Sequence, residues 1–248
     1  MSTGAELWLG RYQSGESAAV WAEMRDLGPE IRSERLWRHA SAVATETMIR
    51  VGKNIDTVVA RLQALGYRFA EPTLVRRPPA PETAIRLNAF EARHGPMPLS
   101  LRAFYDVVGT VDLAQSTGQL IHYWPEDRRK RATELEIAGE YDPLVVEFLK
   151  DPKNWPGVAG TAWFFACDEF HKANYSGGAN YHVVLPDASA DFQIFGMADD
   201  SEFFVDYLRF TFEGGGFRGP SDANEERAWK VLPKLGLTKQ LADGLLPI

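Results

Sequence analysis

The order of patterned segments predicts an α+β fold. Residues 14–66 carry apolar side chains at helical spacing, whereas residues 119–195 contain short runs rich in Val, Ile, Phe, Tyr and Trp, which favour β-strands. Helical spacing returns at residues 199–213. Because helices, then strands, then helices do not form alternating βαβ units, we expect mainly an antiparallel sheet of about five to six strands, packed with helices and preceded by a helical N-terminal region.

The N-terminal helical region has two apolar stripes. The first lies between Leu36 and Val51, and the second lies between Ile55 and Leu65. Gly52 and Asn54 predict an interruption between them, and Gly66 is typical of a helix end. Residues 1–70 are therefore predicted to be a helical extension that packs on an α+β domain of residues 71–248, the two together forming one compact unit.

A proline-rich connector and a helix pair follow. Residues 72–81, PTLVRRPPAP, are predicted to be extended because proline lacks an amide donor and restricts its neighbours. A short helix is expected over Glu82–Arg93, and Gly95 with Pro96 ends it. Pro98 then begins a second helix that Gly109 closes. Its apolar face consists of Leu101, Phe104, Tyr105 and Val108.

The strands and later elements are assigned from composition and turn residues. The strand candidates are Gln119–Tyr123, Leu144–Phe148, Ala162–Cys167, Tyr181–Leu185 and Phe192–Phe195. A tight turn is predicted at Asn174–Gly178 and a loop or helix start at Glu126–Arg131. The glycines at 214–216 are expected to end the late helix, and a final helix is predicted from Asp222 through Leu232.

Charge and composition exclude some classes of protein. The net charge is −7, and residues 134–213 hold 15 Asp and Glu against 4 Lys and Arg. Such a field repels nucleic acid and can steer a basic partner, although it also suits an ordinary solvated surface. The single cysteine, Cys167, excludes an intramolecular disulfide. Neither a signal peptide nor a run of about 18 apolar residues is present, so we expect a cytoplasmic protein without a membrane span.

The helix–Gly–Pro–helix segment resembles the SUKH superfamily, which includes fungal cell-wall assembly regulators and many bacterial immunity proteins. The residues that carry the resemblance are Phe90, Glu91, Gly95, Pro98, Leu101, Phe104, Tyr105, Gly109, Val111, Asp112 and Leu113. A late helix with Phe203, Phe204, Tyr207 and Leu208 is similar to the family's C-terminal Phe-rich helix.

The resemblance covers roughly residues 50–220 and has departures. Family members often carry Asn-Gly-Gly where this chain has Val108-Gly109-Thr110. The matching positions are turn glycines, helix-starting prolines and core aromatics, so no catalytic residue carries over. The resemblance implies a fold that binds other proteins, either to neutralise a polymorphic toxin or to act as a regulatory scaffold.

Motifs for catalysis are sparse. The sequence has no phosphate-binding loop, nucleophile elbow or zinc-protease motif. The nearest candidate is the cluster Cys167-Asp168-Glu169-Phe170-His171, which combines a thiol, two carboxylates and an imidazole. It is open to two interpretations, an activated thiol or metal site, and a buried cysteine at a strand end followed by polar loop residues.

The resemblance implies a protein-binding module, and the missing catalytic motifs favour no enzyme, cofactor or metal. The expected function is that of a bacterial immunity protein that neutralises a toxin, with a basic toxin domain as partner. A regulatory scaffold without a toxin, and an enzyme of unrecognised type that uses the Cys167–His171 cluster, remain alternatives. The partner-binding residues predicted from charge and loop position are Tyr105, Asp112, Asp168, Glu169, Tyr175, Asp199, Asp200 and Glu202.

Overall fold

A computed structural model describes residues 4–116, 124–148, 160–173, 179–197, 202–219 and 236–248. The described residues form an α+β fold with two small antiparallel sheets of three and two strands. One continuous apolar core runs from Ala5 to Ile248, so the N-terminal helices and the later elements share a single interior.

The N-terminal region is helical, as the periodicity predicted. A 3₁₀ turn, Ala5–Leu7, leads into α1 (Trp8–Gln13), and α2 (Ser17–Asp26) follows. A second 3₁₀ turn, Gly28–Arg32, connects α2 to α3 (Glu34–Ala64). Helix α3 has 31 residues and begins after Ser33, which occupies the cap position without a side-chain capping bond. Its apolar stripe packs against α1 and against residues 99–108 of the later helix pair, which makes α3 the central support of the fold.

The predicted interruption at Gly52 and Asn54 is wrong, because α3 continues through both residues. The Asn54 amide is buried and pairs with the backbone of Leu246, donating to its carbonyl at 2.9 Å and accepting from its N–H at 2.7 Å. Gly52 is helical and lies beneath Arg76. A long-range partner for Asn54 thus overrides the weak helix propensity of both residues.

The connector and the helix pair have the predicted order. Strand β1 (Arg76–Arg77) lies within the connector, and α4 (Thr83–His94) follows it. Helix α5 (Leu99–Ala103) begins after Pro98 and continues as a π-helical turn, Phe104–Val108. Gly109, at φ +88°, ends this turn, and strand β2 (Thr110–Asp112) comes next.

The remaining described elements comprise short helices and strands. They are α6 (Glu126–Arg129), α7 (Glu134–Ala138), β3 (Val145–Val146), β4 (Thr161–Ala166), α8 (Glu169–Lys172), β5 (Tyr181–Leu185), α9 (Phe204–Glu213) and α10 (Leu237–Ala242). The glycines after α9 end that helix as predicted. The predictions for Gln119–Tyr123, Asn174–Gly178 and Asp222–Leu232 lie outside the described residues.

The first sheet has the order β1-β2-β3, and the second pairs β4 with β5. In the register, Val111 faces Val146, and Trp163 faces Val183. A bond of 2.7 Å from the Glu147 N–H to the Phe165 carbonyl links the two sheets beyond β3. The expected sheet of five to six strands is not confirmed, since among the described residues the candidate Phe192–Phe195 forms only isolated bridges.

No helix among the described residues has both the length and the apolar character needed to cross a membrane.

Replacing Gly52 by Ala is expected to stabilise the protein. The position is in the middle of α3, and a methyl group there would lie 3.5 Å from the Arg76 guanidinium, an ordinary contact. Alanine loses less backbone entropy than glycine on folding, so the free energy of unfolding in urea should rise by about 0.5–1 kcal/mol.

The matched control is Gly109→Ala. Its methyl group would lie 2.2 Å from the Arg77 carbonyl oxygen at a positive φ, so unfolding should become easier by about 1–3 kcal/mol. If Gly52→Ala destabilised the protein as much as Gly109→Ala, the continuity of α3 would be refuted.

Candidate functional site

The Glu91 carboxylate connects α4 to α5. Its carboxylate accepts a hydrogen bond of 2.9 Å from the Met97 N–H and forms an ion pair with Arg102. Arg102 also donates to the amide oxygen of Asn88 at 2.7 Å. These charge-assisted bonds hold the two helices at a fixed angle across Gly95. The acidic residue of the recognised motif therefore has a structural role.

Gly109 brings the connector close to the helix pair. A Cβ atom at this position would lie 2.2 Å from the Arg77 carbonyl oxygen and 2.8 Å from the Pro78 carbonyl carbon. Only glycine allows this approach together with φ +88°. The connector is consequently held against the end of the π-helical turn, and its far side forms one wall of a cleft.

This cleft, which we call the arginine cleft, has a volume of about 380 Å³ and lies between the connector, α4 and the residues after β3. Such a volume is in the range of natural binding sites for small molecules or peptide side chains. The side chains that define its chemistry are Arg77, Pro78, Pro79, Arg86, Tyr105 and Phe148.

Two exposed guanidinium groups line the arginine cleft. Arg77 donates to the Thr110 hydroxyl at 3.3 Å, and the Arg86 guanidinium lies 5.0 Å from the ring centroid of Phe148. Within the described parts of the chain, neither arginine forms an ion pair with a carboxylate. Both side chains therefore keep most of their donors available to a ligand.

The aromatic side of the cleft is held in place by hydrogen bonds and ring packing. The buried Tyr105 hydroxyl donates to the Glu147 carbonyl at 3.0 Å and accepts from the Trp163 indole N–H at 3.1 Å. Phe148 packs edge-on against both rings, with centroid distances of 4.8 Å to Tyr105 and 5.7 Å to Trp163. Burial raises the pKa of Tyr105, so its hydroxyl stays protonated and retains these bonds.

The cluster Cys167–His171 forms a helix cap. Asp168 accepts hydrogen bonds from the N–H groups of Phe170 at 3.0 Å and His171 at 3.1 Å, and its second oxygen contacts the His171 ring. An aspartate at this position stabilises the first turn of a helix. Among the described residues, no group of three or more His, Cys, Asp and Glu is arranged to hold a metal ion.

Cys167 is a poor nucleophile in this environment. Burial, assisted by the nearby carboxylates of Glu147 and Asp112, raises the pKa of its thiol to about 11, although Lys172 opposes this shift. The thiol therefore stays protonated at neutral pH, since the reactive form is the thiolate.

Lys172 lies fully inside the protein in a polar cluster that the sequence did not reveal. Its ammonium group forms an ion pair with Asp142 and donates to the Tyr207 hydroxyl at 3.2 Å. The Tyr181 hydroxyl donates to the other Asp142 oxygen at 3.2 Å. Burial alone lowers the pKa of Lys172, but Asp142 and Tyr207 raise it above its usual value, so the lysine remains charged.

The residues predicted to contact a partner differ in how far they are buried. Tyr105, Asp168 and Glu202 are buried, and Glu202 pairs with Arg218. Asp112 is partly buried and accepts a bond of 2.9 Å from the Ala114 N–H, whereas Glu169 lies partly exposed on α8. The described residues include no position for Tyr175, Asp199 or Asp200.

Part of the acidic excess of residues 134–213 is internal among the described residues. Asp142 and Glu202 pair with Lys172 and Arg218, and Asp206 contacts Arg25 at 2.5 Å. Burial raises the pKa of the Asp191 carboxyl group to about 7, although the hydrogen bond from the Ser100 hydroxyl lowers it. These carboxylates stabilise tertiary contacts and are not part of an open acidic surface.

Sequence reasoning did not find the arginine cleft or the Lys172 cluster. The dipeptide Arg76-Arg77 before Pro78 was a visible signal, because two cations beside prolines are unusual in a plain connector. Lys172 gave no signal, since a lysine in a polar stretch is ordinarily exposed.

The chain matches no model of a known protein family, no curated protein and no solved structure. The resemblance to the SUKH superfamily therefore depends on the quoted motif residues alone.

Replacing Lys172 by Met is expected to destabilise the protein by about 3–5 kcal/mol, because Asp142 would be left charged and unpaired in the interior. The double variant Asp142→Asn/Lys172→Met should recover part of this loss. Urea unfolding of the double-mutant cycle measures the coupling.

The matched control is Lys130→Met, which removes an exposed pair with Glu126 and should change the unfolding free energy by less than about 0.5 kcal/mol. Equal effects of Lys172→Met and Lys130→Met would contradict the assignment of a buried ion pair.

Alkylation of Cys167 by iodoacetamide at pH 8 should be slow. With its pKa raised to about 11, the native thiol should react on the order of 100-fold more slowly than an exposed cysteine. The control is Ser14→Cys in a Cys167→Ala background, since Ser14 is exposed. Equally fast labelling of both proteins would restore Cys167 as a candidate nucleophile.

Proposed function

We propose that this protein is a protein-binding module, that it acts by holding a partner protein, and that the arginine cleft is where the partner docks. The observation that carries the proposal is the open cleft on the helix–Gly–Pro–helix segment. The same segment carries the resemblance to a superfamily of binding proteins.

The chemistry of the Cys167–His171 cluster supports binding over catalysis. Asp168 caps α8, and the thiol of Cys167 has a raised pKa. The alternative of an enzyme that uses this cluster predicts that Cys167→Ala and His171→Ala each abolish an activity, and unchanged function of both variants would eliminate it.

The particular form that we propose is an immunity protein that neutralises a toxin. A basic toxin domain and a cytoplasmic location remain predictions from the sequence. Exposed carboxylates such as Glu213 can contribute to steering a basic domain, although fewer carboxylates are available for this than the sequence count suggested. A regulatory scaffold would use the same cleft without a toxin.

Co-expression with the product of the neighbouring gene tests the proposal. The wild-type protein should co-purify with that product and restore growth to cells that it poisons. Ala80→Trp should weaken this binding at least about tenfold, because Ala80 lines the cleft and an indole ring would fill it.

The matched control is Ala92→Trp, which places the same ring at an exposed position on α4 that does not line the cleft. If the neighbouring gene product neither binds nor is neutralised, the toxin-neutralising form is wrong. If it binds and Ala80→Trp has no effect, the docking site is wrong.

A further inference from the structure

We infer that the arginine cleft recognises a carboxylate on an extended acidic peptide segment of the partner, with an apolar side chain of that segment against the proline and phenylalanine walls. This inference rests on the proposed function and specifies the ligand chemistry of the same site.

The first argument is the state of the two arginines. Arg77 donates one N–H group to the Thr110 hydroxyl, and the Arg86 guanidinium forms a cation–π contact with the Phe148 ring. Both contacts orient the planar guanidinium groups without neutralising their charge. The half-buried Arg50 and the exposed Arg131, by contrast, each pair with a carboxylate four residues earlier in the chain. What distinguishes Arg77 and Arg86 is that two oriented guanidinium groups, without an ion pair to any described residue, line the same cleft.

The second argument is the shape and composition of the walls. Pro78 and Pro79 are held against Gly109 on one side, and Phe148, which packs on the buried Tyr105 ring, forms the other side. These rings offer apolar surface but few hydrogen-bond donors, so the arginines supply most of the directional binding. Guanidinium donors match the two oxygens of a carboxylate, and the rings match an aliphatic side chain.

The third argument selects a peptide over a nucleic acid. The protein has a net charge of −7, which opposes approach of a polyanionic backbone. A short acidic segment has only a few charges and meets two local cations. Such a segment can belong to a partner whose folded domain is basic, because the cleft contacts the segment alone.

Peptide binding to the full-length protein tests this inference. The probe is a fluorescein-labelled hexapeptide of alternating Glu and Leu, with matched Gln–Leu and Lys–Leu hexapeptides for comparison. Fluorescence anisotropy should detect binding of the Glu–Leu peptide alone, and 0.5 M NaCl should weaken it because exposed charges are screened.

The double variant Arg77→Gln/Arg86→Gln should bind the Glu–Leu peptide about tenfold more weakly. The control is Arg38→Gln/Arg93→Gln, which removes the same charge at exposed positions outside the cleft and should bind as the wild type does. Circular dichroism and urea unfolding of each variant establish that it folds.

Three outcomes would overturn the inference: no binding of the Glu–Leu peptide, equal binding of the Gln–Leu or Lys–Leu peptide, or equal weakening by both double variants. Its failure is distinct from failure of the proposed function. A partner that is captured by the wild type, lost in Ala80→Trp and retained in Arg77→Gln/Arg86→Gln would leave the docking site valid and refute only the acidic chemistry.

Discussion

The ammonium group of Lys172 lies among side chains from separate parts of the chain. Asp142 reaches it from the turn before β3, Tyr181 from β5 and Tyr207 from α9. A buried charge is tolerated only if it is paired and hydrogen-bonded, so these elements must meet at one position. Asp142 itself adopts a positive φ of +45°. Its backbone carbonyl accepts a hydrogen bond of 3.0 Å from the Arg218 N–H. The ion pair therefore fixes how the two sheets and the late helix fit together.

The arginine cleft depends on a second constraint, the close approach of the connector at Gly109. This approach and the hydrogen bonds of Tyr105 hold the two walls in place independently of any ligand. A partner that docks there would spend little free energy on ordering the site, which is the advantage of a preformed cleft. The π-helical turn beneath it fits this arrangement, because such turns occur often at functional sites.

How far the sequence predicted this protein can be judged from particular residues. Helical spacing identified the stripe of α3, and composition identified β4 and β5 close to their observed ends. Gly52 and Asn54 misled the prediction, since the amide of Asn54 finds its partners in Leu246, far along the chain. For the site, the sequence indicated the segment that carries the cleft, but the residues it favoured for contact included Tyr105 and Glu202, which are buried.

The sequence by itself determined the longer helices, three of the five described strands and the turns at Gly95 and Gly109, because periodicity, proline and positive φ act within a few residues. It did not predict the short helices α7, α8 and α10. Only the tertiary structure decided which charged groups are internal and which are open. Asp142 and Lys172 became a buried pair, whereas Arg77 and Arg86 stayed exposed beside aromatic walls. The physical reason is that desolvation and ion pairing depend on distances between residues remote in the chain, and no local pattern encodes these distances.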